Sequence, residues 1–159
     1  MKQFVIEDNK LTLLIKKSPF LVRLIFFPIS FLFFILPIGG MVAYLVSGNE
    51  FHIGFLFGIF ISSLLGIYML RITLWNTFGK EVIIFNNSKV TYTADYGWFK
   101  DSLKSKVINS ISFSILNVGY EEDNTGVLFI GDKESNIESV AKLPINELED
   151  LIKELKIIN

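Results

Sequence analysis

The sequence contains no cysteine and a single histidine, His52, among 159 residues. Without thiols there is no disulfide framework, no thiolate nucleophile and no cysteine-built metal knot, and the residues favour neither an oxidising nor a reducing compartment. One imidazole supplies none of the ligand spacings that hold zinc. The glycine-rich phosphate loops are missing too: no G-x-x-x-x-G-K-[ST] occurs, and no G-x-G-x-x-G opens a helix. Charge is sparse, at 19% of residues and a net of −1, so no global field draws the chain toward nucleic acid. These absences lead us to expect a non-enzymatic protein that uses no metal and no cofactor.

What the sequence has instead is apolar bulk. Hydrophobic residues make up 51%, phenylalanine alone contributes 16, and the mean hydropathy is +0.49. A chain of this kind buries too much apolar surface to be disordered and carries too little charge for an ordinary soluble domain. Part of it is therefore expected to sit in lipid.

Between Arg23 and Arg71 the only charged residue is Glu50, beside Ser47-Gly48-Asn49 and His52. This interval reads as two membrane spans, Leu24 to Val46 and Phe51 to Leu70, each long enough to cross roughly 30 Å of hydrocarbon. A cleaved signal peptide fits poorly, because the leading segment is polar, the apolar run exceeds an h-region, and no A-x-A-like site follows. Lys2, Lys10, Lys16, Lys17 and Arg23 precede the first span, Arg71 and Lys80 follow the second, and the connecting turn has no basic residue. Both termini are expected in the cytoplasm, with Arg23, Arg71 and Trp75 at the membrane interface.

Small residues recur every four positions in the second span, at Gly54, Gly58, Ser62 and Gly66, and in the first at Gly39, Ala43 and Ser47. Close backbone approach is what drives helices together in lipid, so Gly39, Ala43 and Ser47 are expected against Gly54 and Gly58. Ser62 and Gly66 would then be left for self-association. Pro28 and Pro37 are expected to bend the first span. Neither span has an ionisable residue near its middle, which argues against a single-chain transporter or channel.

In the aqueous parts, Phe4 and Ile6, then Leu11, Leu13 and Ile15, alternate with polar neighbours around Asp8-Asn9, which predicts a β-hairpin. An isolated hairpin is marginal, so it must dock onto something. After Lys80 the spacing predicts strands at Glu81–Phe85, Lys89–Ala94, Trp98–Ser102, Lys106–Ile115, Val127–Ile130 and Ile137–Lys142. Turns are expected at Asn86-Asn87, Asp95-Tyr96-Gly97, Asp123-Asn124-Thr125-Gly126 and Gly131-Asp132. Past Pro144, Leu148, Leu151, Ile152 and Leu155 follow helical spacing, Asn146 and Glu149 read as a capping box, and Glu149–Lys153 as an i,i+4 pair.

The junction Leu70-Arg71-Ile72-Thr73-Leu74-Trp75-Asn76-Thr77-Phe78-Gly79-Lys80-Glu81-Val82-Ile83 resembles membrane-anchored bacterial PH-like domain proteins, in which a two-span hairpin carries a small PH-type barrel. The resemblance is sharpest over Trp75 to Glu81 and extends by pattern through most of residues 20–158. It implies a membrane α-hairpin of two transmembrane helices plus a mainly-β PH-like barrel, partly open and strongly bent, of about seven antiparallel strands, one end plugged by a C-terminal helix. The organisation expected is a cytoplasmic β-hairpin at 1–19, the transmembrane hairpin at 20–74 and the barrel at 75–159, in the bacterial inner membrane. The resemblance leaves open whether the N-terminal hairpin supplies strands to the barrel or lies beside it.

Catalytic constellations are hard to assemble. His52 would lie across the membrane from every serine and carboxylate that could join it. Glu121-Glu122-Asp123 adjoins a turn and reads as a solvated tip. After Asn76 there are nine lysines and thirteen acidic residues, a net of −4, which suits neither nucleic-acid polymers nor phosphoinositides in general. One local exception is Lys100, Lys104 and Lys106 near Tyr96 and Trp98, a candidate ligand-binding cluster whose bland alternative is a solvated strand face with one aromatic in the core. The functional expectation is a membrane protein displaying a cytoplasmic binding or scaffolding module. Its partners would be the lipid bilayer and either a protein or a second copy through the helices. Two alternatives remain: a signal-gated membrane effector of antiviral-defence type, whose barrel senses a nucleotide-like ligand, and an accessory subunit that captures a partner peptide on an edge strand.

Overall fold

A computed structural model describes residues 2–108, 111–119, 121–131 and 135–158. The chain divides into two compact units, residues 17–77 and a β unit that combines residues 1–16 with 78–159.

The first unit is a helical hairpin of α1 (Phe20–Val46) and α2 (Gly54–Phe78), both long and apolar enough to cross a membrane. The less exposed positions of α1 include Arg23, Phe27, Ser30, Phe34, Pro37, Met41 and Tyr44, at alternating steps of four and three. Those of α2 include Phe55, Ile59, Ser62, Gly66, Met69 and Thr73 at the same steps. An average spacing of 3.5 keeps one seam of each helix facing its neighbour. The remaining faces are bare apolar surface, with Ile35, Leu36, Phe57 and Phe60 all more than half exposed.

The small residues act differently from expectation. Among the described residues nothing outside the helix's own backbone lies within 4 Å of where a side chain would begin at Gly39, Gly54 or Gly58. The rings of Tyr44 and Phe55 meet at this end of the hairpin, their centres 5.1 Å apart. Ser62 and Gly66 make the close approach instead. The Ser62 hydroxyl donates to the Phe33 carbonyl at 2.6 Å, and a Cβ on Gly66 would stand 2.6 Å from Cε2 of Phe34. A helical glycine here is the seat of a phenylalanine ring. Ser47 turns back to donate to the Ala43 carbonyl at 2.9 Å. Pro28 and Pro37 both lie inside one continuous helix. The second helix runs eight residues beyond the expected end at Leu70, so Arg71 and Trp75 are helical.

The β unit contains two antiparallel sheets and a helix. One sheet takes β1 (Phe4–Glu7), β2 (Lys10–Leu14), β3 (Lys80–Asn86), β4 (Lys89–Asp95) and β5 (Lys100–Val107) in chain order. The N-terminal hairpin thus supplies strands: β2 pairs with β3, Leu11 opposite Ile83. The second sheet holds β6 (Phe113–Asn117), β7 (Thr125–Gly131) and β8 (Asn136–Glu138), with the short β9 (Leu143–Pro144) also on β7. Asp8, Asn87 and Asn124 adopt the left-handed turn conformation that Asp and Asn tolerate best. Leu11, Leu13, Ile83, Val90, Leu128, Ile130 and Leu143 are fully buried between the sheets and their cover. From α3 (Ile145–Ile158), Leu148, Leu151 and Leu155 complete the core, each contributing about 1.5–3 kcal/mol by burial.

Several expectations need correction. The sheets do not close into a barrel, because β5 and β6 end separate sheets. The two strands expected at Trp98–Ser102 and Lys106–Ile115 are β5, running through both, and the later β6. The expected strand Ile137–Lys142 is strand only in β8 before the chain turns into β9. Residues 109–110 of one expected strand, and Asp132 of the expected Gly131-Asp132 turn, lie outside the described residues. Helix α3 starts at Ile145, so Asn146 falls inside its first turn rather than at a cap, and Lys153 stands 3.3 Å from Asp150.

Candidate functional site

The exposed edge of the first sheet is β5. Strand β1 at the opposite edge is tied to α3, with the Gln3 N–H donating to Glu147 at 3.1 Å and Lys2 pairing with Glu154 at 2.7 Å. On β5, Lys100, Leu103, Lys104, Ser105, Lys106 and Val107 are all exposed. Residues directly opposite in a ladder share a sheet face. Lys106 is opposite Val90 and Lys104 opposite Tyr92, so these two lysines lie on the face that is apolar core in β2, β3 and β4. Inward-pointing lysines at an edge disfavour the indiscriminate addition of further strands.

Between Tyr92 and Ala94 the register shifts, so that Ser102 and Leu103 together face Thr93. Ser102 takes φ 57° at this bulge and its N–H donates to Asp101. The bulge splits the expected lysine cluster. Lys100, opposite Asp95, falls on the outer face, while Lys104 and Lys106 fall on the inner one. Tyr96 is buried and stacks on Phe99 at 4.7 Å, whereas Trp98 is 60% exposed. Leu103 and Val107, 73% and 63% exposed, accompany them on the outer side. The edge is therefore amphipathic across its two faces, and the five expected residues do not converge on one ligand.

A different group is the most unusual chemically. Glu81 of β3 is completely buried. Its Oε1 accepts the Val140 and Ala141 N–H groups, both at 2.8 Å, and the Tyr92 hydroxyl at 3.1 Å. Its Oε2 is buried with no hydrogen-bond partner among the described residues. Burial pushes the Glu81 carboxyl from an ordinary 4.5 up to about 7, against the hydrogen bonds and the Lys104 charge, which pull it down. The Tyr92 hydroxyl is raised by burial and by the Glu81 carboxylate beside it. Lys104 places its ammonium 5.9 Å from the centre of the Tyr92 ring. A polar line thus runs from the β5 edge through Tyr92 to Glu81 and on to the backbone that leads from β8 into β9. The site fastens that segment to the first sheet with a carboxyl poised to titrate near neutrality.

Sequence reasoning passed over Glu81, although its signal was present. In Lys80-Glu81-Val82-Ile83-Ile84-Phe85 it shares alternation with Ile83 and Phe85, so a carboxylate occupies a core-facing position. The other expected residues are dispersed: Arg23 and Trp75 are half-buried on α1 and α2, and Arg71 is exposed. Among the described residues no group of three or more His, Cys, Asp or Glu stands close enough to hold a metal ion. No protein family, curated protein or solved structure matches the chain.

Proposed function

We propose that this chain is a non-enzymatic integral membrane protein whose β unit is a PH-like binding module on the cytoplasmic side of a bacterial inner membrane. The module holds a protein partner by strand addition at β5. The observation that carries this reading is the end strand β5, exposed on both faces from Leu103 to Val107, with Leu103 and Val107 outward and Lys104 and Lys106 inward. An added peptide strand gains main-chain hydrogen bonds along such an edge and reads the alternating pockets and charges for specificity. The lysines favour a peptide with acidic residues at alternate positions. Lipid covers the bare faces of α1 and α2, which no soluble protein would leave exposed over two whole helices. Two antiparallel sheets followed by one C-terminal helix support the PH-like assignment, in an open form.

The test is photo-crosslinking from position 103 in intact membranes, followed by the same experiment with Leu103→Lys and Val107→Lys together. A stoichiometric crosslinked protein that disappears in the double variant supports the reading. Recovery of lipid alone, or a partner unaffected by the two charges, contradicts it.

The uncovered Gly39, Gly54 and Gly58 favour a second reading, the signal-gated effector, in which a nucleotide-like ligand on the β unit drives the helices to assemble. Candidate nucleotides would then raise oligomer size and membrane leakage in the wild type but not in Gly58→Leu. Unchanged size and tight vesicles would dismiss it.

A further inference from the structure

We propose that the helical hairpin carries a binding site for the phosphate of an anionic membrane phospholipid, with the Arg23 guanidinium as its principal ligand. A cavity of about 80 Å³ opens between the start of α1 and the last turns of α2. Its polar lining is Ser18, Arg23, Thr73 and Asn76, and its apolar wall includes Phe26 and Ile72. Arg23 lines this cavity, and its Nε is buried with no acceptor among the described residues. A guanidinium donor left unsatisfied in a low-dielectric setting is costly, and the cost is removed by an oxyanion drawn against it.

The neighbouring groups fit the same ligand. Asn76 gives one amide hydrogen to the Ile72 carbonyl at 2.9 Å and keeps the other. The Thr73 hydroxyl is committed to the Met69 carbonyl at 2.8 Å, so the hydroxyl of Ser18 is the additional donor. Among the described residues no carboxylate lines the cavity to compete for Arg23. Lys17, in the same unit, precedes it in sequence and adds positive charge at this end of the hairpin. A phosphodiester offers several acceptor oxygens to the planar guanidinium fork, and its attached chains would lie along the apolar wall. The charge and the wall together select a membrane lipid over a soluble oxyanion.

This proposal rests on the membrane reading, so insertion is scored separately by flotation of the full chain with vesicles. The test is native mass spectrometry of the full chain released from micelles containing equal phosphatidylglycerol and phosphatidylcholine. The wild type should retain phosphatidylglycerol in preference, and Arg23→Gln should lower that retention about tenfold, the loss expected for a charge-assisted contact. Arg71→Gln, which removes an exposed charge outside the cavity, should leave it unchanged. Should Arg23→Gln fail to fold, Val22→Trp fills the cavity with the charge intact and must give the same loss. A wild type that floats but shows no headgroup preference overturns the site alone; one that does not float overturns the membrane reading. Retention persisting in Arg23→Gln or Val22→Trp overturns the site, and displacement of the lipid by inorganic phosphate overturns its assignment to lipid.

Discussion

Tyr92 donates its hydroxyl to Oε1 of Glu81 at 3.1 Å, linking neighbouring strands of one sheet at the centre of the β unit. Glu81 is opposite Ala94 and Tyr92 opposite Ile83, so the two are diagonal neighbours on the buried face. The same oxygen holds the Val140 and Ala141 N–H groups, which makes one carboxyl the meeting point of the first sheet and the segment leaving β8. Four predictions follow from this arrangement and from the packing around it.

Stability should fall as pH rises. The folded-state pKa of Glu81, about 7, lies above the ordinary 4.5, so folding favours the protonated form. Its stabilising contribution is complete below 4.5 and is lost as pH rises to about 7, above which the profile flattens. The ceiling on this change is about 3 kcal/mol, from roughly 1.4 kcal/mol per pH unit. Urea unfolding of the β unit's signal in the micelle-bound chain, measured across this interval, should show the slope. Glu81→Gln, neutral throughout, should abolish it; an unchanged slope would mean another group is responsible.

Tyr92→Phe removes one of three donors to Oε1 and leaves the ring packing in place. Because that hydrogen bond lowers the Glu81 pKa, its loss should move the pH-dependent fall in stability to higher pH. Above neutrality the variant should be less stable by about 1.5–3 kcal/mol, the range for a hydrogen bond to a charged group. Equal stability of variant and wild type at alkaline pH would show that the hydroxyl contributes nothing there.

Gly66→Ala and Gly58→Ala should separate sharply. A methyl at Gly66 would intrude on the Phe34 ring, 2.6 Å away, at a cost of about 1–3 kcal/mol for overpacking. At Gly58 it meets open space. Thermal loss of helical circular dichroism in micelles is the readout, with a lowered midpoint for the first variant only. Equal midpoints would place the close helix contact elsewhere.

Lys104→Val with Lys106→Val should promote self-association by removing the inward charges from an exposed edge strand. Sedimentation of the solubilised chain should show larger species than the wild type, and the corresponding change at Lys100 should not. A monodisperse double variant would show that the bulge at Ser102 alone protects the edge.

The apolar helices and the alternating strands could be read from sequence because each follows a local period. The end of α1 at Val46 and the Phe4–Leu14 hairpin match the reading nearly to the residue, while α1 begins at Phe20, four residues before the expected Leu24. What escaped depends on pairing between distant segments. Ser102 resembles any strand residue until its partner Thr93 is known, and only then does the bulge divide Lys100 from Lys104 and Lys106. The spacing of glycines pointed to Gly54 and Gly58 as the packed half, whereas Ser62 and Gly66 make the close approach, a choice that depends on which residues of the other helix stand opposite. Glu81 stood at a core position in the alternation, yet its partners Val140 and Ala141 lie some sixty residues away.

Placement of α1 and α2 in a bilayer underlies the whole account, and extraction of native membranes with alkaline carbonate tests it most directly. The intact chain should remain with the membrane pellet and be released only by detergent. Recovery of the folded chain in the carbonate supernatant would contradict the placement and, with it, the proposed function.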